Sequence, residues 1–361
     1  MKNILIEKTH KFWILVLCVA LLFLWMFVDA IFPFLIAFII AYLLTPATDR
    51  LEGLGMHRMI ATNIAIFGFI AALILFGLLF IPLIIQQISD LITNLPVNLR
   101  KLVNFLTHQF GDTMETLPFT EKDLKKYIST YFNGGLENAA GYTKKAVEQI
   151  VSGSMSVVKT VASLIVTLVV AFYLVLDWHK LIKKIESWIP RHHLDTARCL
   201  FKEIDYLQSS FIRGQVLVCL IMAWYYIVVF EAIGLDYGFV LGLTTGILTF
   251  IPYVGASLGF IMTASIAAAQ YLPEYSQLLI LGVAFALGQT AEGYFLVPKL
   301  VGHAVHLHPA WIMFALLAFG SLFGIAGMLI AVPSITFMGV IVKFALERYM
   351  LSEYYNKDAK Y

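Results

Sequence analysis

The chain has 361 residues, 60% of them hydrophobic and 13% charged, with a net charge of +2. Soluble domains run near 45–50% apolar and about 25% charged, so this composition excludes one and describes a polytopic membrane protein. The charge is small and dispersed, which argues against a nucleic-acid partner. The three cysteines (Cys18, Cys199, Cys219) have neither metal-ligand nor redox spacing.

A helix needs about 20 apolar residues to span the hydrocarbon, and fewer where protein shields it. The first run, Phe12 to Ile31, follows Lys2, Lys8 and Lys11. It is longer than a signal peptide's apolar region and has no small-residue cleavage site, so it reads as a retained span. A short second segment follows between Pro33 and Pro46, then a loop with Arg50 and Arg58. The third span, Ile60 to Ile88, is expected to break at Pro82.

From Ser89 to Ser152 the chain is at its most polar. Leu99, Leu102, Val103, Leu106 and Phe110 recur at helical spacing. Thr120 and Asp123 form a capping box for a second short helix. Residues 89–152 are therefore read as a small helical extracytoplasmic subdomain.

The fourth span, Val157 to Leu176, ends at Asp177-Trp178. The basic stretch after it carries Leu194, Ala197, Phe201, Ile204, Leu207 and Phe211 at helical spacing, suiting a helix in the headgroup region. A fifth span covers Val216 to Ala232. Tyr237 to Phe250 and Ala256 to Tyr271 are each short, and are either two thin spans or a re-entrant hairpin. Leu278 to Val297 is a full span, and Pro309 to Phe344 a further pair broken at Gly324 and Gly327.

The fold class is thus all-α and polytopic. It has about eight transmembrane segments, some short or re-entrant, plus the helical extramembrane subdomain. The domains read as 1–88 and 153–178 (transmembrane), 89–152 (extracytoplasmic), 179–212 (cytoplasmic interfacial helices), 213–347 (transmembrane core) and 348–361 (cytoplasmic tail). Lys and Arg of the short loops fall on one side, which places both termini in the cytoplasm.

Inside the Leu278–Val297 run stand Gln289 and Glu292. At i, i+3 their side chains lie one above the other on a helix. A carboxylate within a span costs about 3 kcal/mol on insertion scales unless it faces a cavity or a partner. It either lines a path or, protonated, bonds a neighbouring helix as structural glue. Arg213 and Gln215 open the fifth span near its inner mouth. There Arg213 either snorkels or pairs with Asp177 and guides an anion.

Gly238, Gly242 and Gly246 share one helix face, and Gly255/Gly259 and Gly320/Gly324 repeat the spacing, the pattern of close helix packing. Pro252, Gly255, Gly324, Gly327 and Pro333 are candidate hinges. Gly246–Pro252 and Gly327–Pro333 share a Gly-x5-Pro pattern, which raises an internal repeat of broken helices.

Gly255-Ala256-Ser257-Leu258-Gly259 matches the G-x-S-x-G elbow of hydrolases. That elbow needs a strand-turn-helix and a converging histidine, whereas Ser257 sits between apolar helical segments, so no enzyme is read here. His303, His306 and His308 are spaced for a metal or a pH response. They read instead as a solvated helix end, and no metal or cofactor is expected.

Together these residues resemble the autoinducer-2 exporter family of bacterial permease-like proteins, also called PerM-like. The matching stretches include Phe32-Pro33, Ala41-Tyr42-Leu43-Leu44-Thr45-Pro46, Phe172-Tyr173-Leu174-Val175-Leu176-Asp177 and Ile212-Arg213-Gly214-Gln215. Phe250-Ile251-Pro252-Tyr253-Val254-Gly255, Gln289 with Glu292-Gly293-Tyr294, and Val297-Pro298-Lys299-Leu300-Val301-Gly302 follow. The last are His308-Pro309-Ala310-Trp311, Phe323-Gly324-Ile325-Ala326-Gly327 and Ala331-Val332-Pro333. The resemblance implies a multi-pass protein of the bacterial inner membrane, surrounded by lipid and forming homo-oligomers. It would be a secondary transporter exporting a small solute, such as an autoinducer-2-like signal, by ion-coupled alternating access. Sodium/proton antiport within the same family is one alternative. A non-transporting anchor whose 89–152 subdomain binds a partner is another.

Overall fold

A computed structural model describes residues 28–114, 155–302, 308–352 and 355. All regular elements among them are helical: α1 Val28–Gly53, α2 Arg58–Met114, α3 Met155–Trp188, α4 Leu194–Ala232, α5 Gly238–Leu248, α6 Val254–Tyr271, α7 Tyr275–Ala291 and α8 Pro309–Met350. A π-helical stretch, Glu292–Val301, continues α7. Seven helical stretches among the described residues are long and apolar enough to cross a membrane. The chain is thus an all-α polytopic membrane protein. The expected first span, Phe12 to Ile31, lies almost wholly outside the described residues, as do the capping box at Thr120 and the rest of the subdomain beyond Met114.

The prolines interrupt less than their chemistry predicts. α1 runs through both Pro33 and Pro46, and beside Pro46 the Thr45 hydroxyl donates to the Ala41 carbonyl at 2.7 Å. α2 continues through Pro82 for 57 residues. A proline removes one helical hydrogen bond, and neighbouring groups can make good the loss. At 1.5 Å per residue α2 is about 85 Å long, far beyond the hydrocarbon thickness of about 30 Å. The span and the first part of the polar stretch are therefore one rod across 88/89. The interfacial helix and the fifth span are likewise joined in α4.

The described residues form two compact units: 28–66, 162–212 and 308–355 in one, and 67–114, 155–161 and 213–302 in the other. In the first unit Arg58 is the fastener. Its guanidinium donates to the carbonyls of Val175 (2.8 Å) and Leu176 (3.0 Å) and pairs with Glu52 (2.8 Å) and Asp49 (3.2 Å). Phe38, Tyr42 and Trp178 meet edge to face, and Tyr42 donates to Asp205 at 2.9 Å. Buried Ala37, Ala41, Ala61 and Ala171 let backbones approach.

α8 is broken at Gly324 (φ 62, ψ −143), a conformation open to glycine and strained for other residues. The chain doubles back so tightly that a Cβ on Gly327 would strike the Phe319 carbonyl. In the second unit α5 and α6 also form a hairpin, and α5, at 11 residues, is too short to cross alone. α6, at 18 residues, is long and apolar enough to cross, so packing of the two helices against each other is compatible with either reading open from sequence. Gly238, Gly242 and Gly246 step along α4 against Phe230, Ile227 and Ala223, while Gly255 meets the Leu248 carbonyl.

The proposed Gly-x5-Pro repeat does not survive. Gly246 precedes the break of its hairpin and Pro252 lies in it. Gly327 and Pro333 both follow the break at Gly324. The feature that does recur is a glycine just past each break, pressed on a carbonyl just before it.

Candidate functional site

The site lies in the second unit, where α7 passes into the π-helical stretch. Glu292 is the residue at the junction. Extra π-type turns open the helical spiral and are common at functional positions. The i, i+3 spacing does what it predicts: the Gln289 amide donates to Glu292 Oε2 at 3.1 Å. The same Nε2 approaches the Tyr226 hydroxyl oxygen at 3.4 Å.

Tyr226 is fully buried, and its ring stacks near Phe285 and Phe230 at centroid separations of 4.9 and 5.4 Å. Beside it Tyr225 donates to the Ala284 carbonyl at 2.8 Å. Gly288 makes this meeting of α4 and α7 possible, because a Cβ there would stand 2.9 Å from both tyrosine side chains. One side of the cluster is thus dry and aromatic. On the other side Gln289 is exposed and Glu292 half-buried. Among the described residues no cation pairs with the Glu292 carboxylate. A half-exposed carboxyl group with a single amide donor can gain or lose a proton, or receive a cation, without dismantling an ion pair.

The other sequence candidates have partners of their own. Gln215 is buried, and its amide donates to the Thr249 carbonyl at 2.8 Å, just past the C-terminal end of α5. It holds a backbone group that the hairpin break leaves without a helical donor. Gly214, next to it, lies against the Leu300 carbonyl at the end of the π-helical stretch. Arg213 is exposed and forms no ion pair among the described residues, while Asp177, in the first unit, pairs with Lys180 at 2.7 Å. His303 and His306 lie outside the described residues. His308 caps α8, its Nδ1 accepting from Ala310 N, and no cluster of potential metal ligands occurs among the described residues.

Two features escaped the sequence reading. Tyr226 sits in an apolar run, and nothing in its spacing marks it as the neighbour of Gln289. The second is a polar tie at one end of the α5–α6 hairpin. Gln87 Oε1 accepts from Val240 N at 3.0 Å, Tyr237 donates to the Asp90 carbonyl at 3.2 Å, and Asn94 donates to the Tyr237 hydroxyl at 3.0 Å. Tyr237 takes φ 62, rare for a side-chain-bearing residue. Gln270 straps the same loop, accepting from Asp236 N and donating to the Gly234 carbonyl.

A carboxylate in a membrane span beside broken helices is the arrangement of a transporter core. Comparison with known proteins agrees. The profile of the AI-2E family transporter matches residues 13–347. The chain belongs to the AI-2E transporter family. YrrI of Bacillus subtilis (strain 168) is 30% identical over 325 residues, covering 88% of this chain and 87% of its own. PerM of Escherichia coli (strain K12) is 27% identical over 320 residues, covering 86% of each. The sll0063 protein of Synechocystis is 29% identical over 323 residues, covering 86% and 76%. Their names are provisional: transport protein for YrrI and sll0063, permease for PerM. Membership of this bacterial family makes the chain a multi-span transporter-family protein of the inner membrane and gives no support to an enzymatic reading.

Proposed function

We propose that this AI-2E family member is a secondary transporter that exports a small solute, with Glu292 as the group that couples flux to an ion. The observation that carries the reading is the half-buried Glu292 carboxyl at the α7–π junction, held by Gln289 and by no cation among the described residues. Proton uptake there removes an expensive charge from the membrane, and the π-helical turns give the side chain room to move. Gln289 and Tyr226 hold the carboxyl in place. Arg213, exposed at the start of the fifth span, stands at the inner mouth with both termini cytoplasmic. Pro252, Gly255, Gly324 and Gly327 are the points at which half-helices shift, whereas Pro333, a fifth candidate from sequence, lies within the unbroken arm of α8. An autoinducer-2-like signal and a homo-oligomeric assembly are what the family resemblance favours.

Exchange of sodium for protons is the second reading. It uses the same carboxylate, since a site without an ion-pair partner admits either cation. A third, a membrane anchor whose 89–152 segment docks a partner, predicts no flux. The test is vesicle transport by purified protein under imposed proton and sodium gradients, across candidate solutes that include a furanone signal. Glu292→Gln is expected to abolish ion-coupled flux while the protein stays folded. Unchanged coupled flux in that variant would remove the carboxylate from the mechanism. Absence of any flux in the native protein would favour the anchor.

A further inference from the structure

The first unit holds a buried polar site that the transport reading does not use. Gln208 on α4 is 7% exposed, and its amide donates to the Pro333 carbonyl of α8 at 2.7 Å. That bond fixes the amide's orientation, because a flip would set oxygen against oxygen. Its own oxygen, Oε1, is left buried with no donor. One turn along α8, Thr336 is 5% exposed and its hydroxyl is likewise without a partner. Pro333 contributes a third oxygen. It has no N–H, so the Leu329 carbonyl lacks its helical donor.

Gln208 reaches α8 at the Pro333 carbonyl, and Thr336 is three residues further along the same helix. In a helix the carbonyl of residue 333 lies over the turn containing 336, and the carbonyl of 329 points at 333. A buried threonine can turn its hydroxyl onto a carbonyl of its own helix. An amide oxygen cannot donate, so Gln208 Oε1 requires a guest from outside. Buried polar atoms in folded proteins almost always have one.

We propose that Gln208 Oε1, Thr336 Oγ1 and the Leu329 carbonyl form a binding site for a small monovalent cation. The set is all oxygen and all neutral: an amide, a hydroxyl and a helical carbonyl freed by proline. Hard cations take oxygen ligands, and carbonyls freed where membrane helices break are used for sodium. With no carboxylate among the three, the donors suit a single charge better than a divalent ion. The bound cation would lock α4 to the arm of α8 that follows the Gly324 break, so occupancy would bias how far that half-helix is free to move.

The test reads binding without flux, so it stands or falls separately from the coupling role of Glu292. Wild-type protein in detergent is titrated with sodium, potassium or lithium chloride at constant ionic strength against choline chloride. Thermal unfolding and equilibrium binding of radioactive sodium are followed. Saturable stabilisation by one of the alkali cations, with choline inert, is expected. Thr336→Val keeps the side-chain shape and should weaken the apparent affinity at least about tenfold, the scale on which even outer partners of a metal count. Gln208→Glu, which adds a charge to the same ligand, should tighten it. Glu292→Gln removes any sodium taken up at the coupling carboxylate and should leave the Thr336-dependent stabilisation in place. Equal behaviour in all salts overturns the proposal and assigns the oxygens to water. So does cation dependence that Thr336→Val leaves intact or that Glu292→Gln abolishes. If Thr336→Val fails to fold, the wild-type salt comparison and the Glu292→Gln result still decide.

Discussion

Two broken hairpins, one in each unit, solve the same problem with different completeness. In both, a glycine just past the break touches a carbonyl just before it: Gly255 on Leu248 in the α5–α6 hairpin, and Gly327 on Phe319 within α8. In both, a buried glutamine of α4 donates to a carbonyl of the hairpin, Gln215 to Thr249 at the break and Gln208 to Pro333, nine residues past it. They differ in what remains. Gln215 leaves no buried orphan atom, whereas Gln208 and Thr336 each leave one. In the first hairpin Thr263 of α6 keeps a buried hydroxyl without a partner, but a hydroxyl can turn onto a carbonyl of its own helix, as an amide oxygen cannot. The second has donor-free oxygens to offer, and that difference makes it the place to look for an ion.

The largest effects should come from the glycines. Gly255→Val and Gly327→Val each drive a side chain into backbone, where flexible neighbours cannot yield. Each should cost up to about 3 kcal/mol, the upper range for overpacking. Monodispersity on gel filtration and the thermal midpoint give the readout. If either variant were as stable as the native protein, the tight doubling-back of its hairpin would be wrong.

The glutamines come next. Gln215→Leu strands the Thr249 carbonyl and should destabilise by about 1–3 kcal/mol, the range for an abandoned buried group. Gln208→Leu strands Pro333 but also removes the bare Oε1, so the two effects offset and its cost in choline should be smaller. In the stabilising alkali salt its deficit should grow, because the native protein gains and the variant does not. A Gln208→Leu deficit that matches Gln215→Leu in every salt would erase the contrast between the hairpins.

How much of this could be read from the letters follows from what each signal depends on. Apolar runs report burial in lipid, so the polytopic helical class was legible. The i, i+3 step is local, so the Gln289–Glu292 bond was too. The prolines misled for a local reason. Pro46 and Pro82 remove a donor, but whether a helix bends there depends on what else can make good the loss. Pro333 sits inside a helix for the same reason, and the break falls at Gly324 instead. Tyr226 was invisible because its partner is 63 residues away and its own surroundings are apolar. Gln215 was singled out for a path, yet its contact is structural, a hydrogen bond to the Thr249 carbonyl, which sequence cannot show to be free.

The smallest predicted effects separate the ways in which the outer parts of the two hairpins are tied. In the second unit Gln87, half-buried, accepts from Val240 N in the first turn of α5, a capping role taken by a side chain from another helix. Gln87→Ala should cost about 0.5–2 kcal/mol, as loss of a cap does, and speed amide exchange over 238–248. In the first unit the far arm of α8 is tied by Lys343 to Glu203 at 3.1 Å, with side chains 61% and 38% exposed. Such a pair contributes little because water and salt screen it and two long side chains must be held still. Lys343→Ala should therefore leave exchange over residues 325–350 nearly unchanged, and what change there is should vanish at high salt. A salt-resistant increase there as large as that from Gln87→Ala would mean that both hairpins are clamped with equal firmness. The contrast between a capped α5 and an arm of α8 held by a screened surface pair would then have no basis.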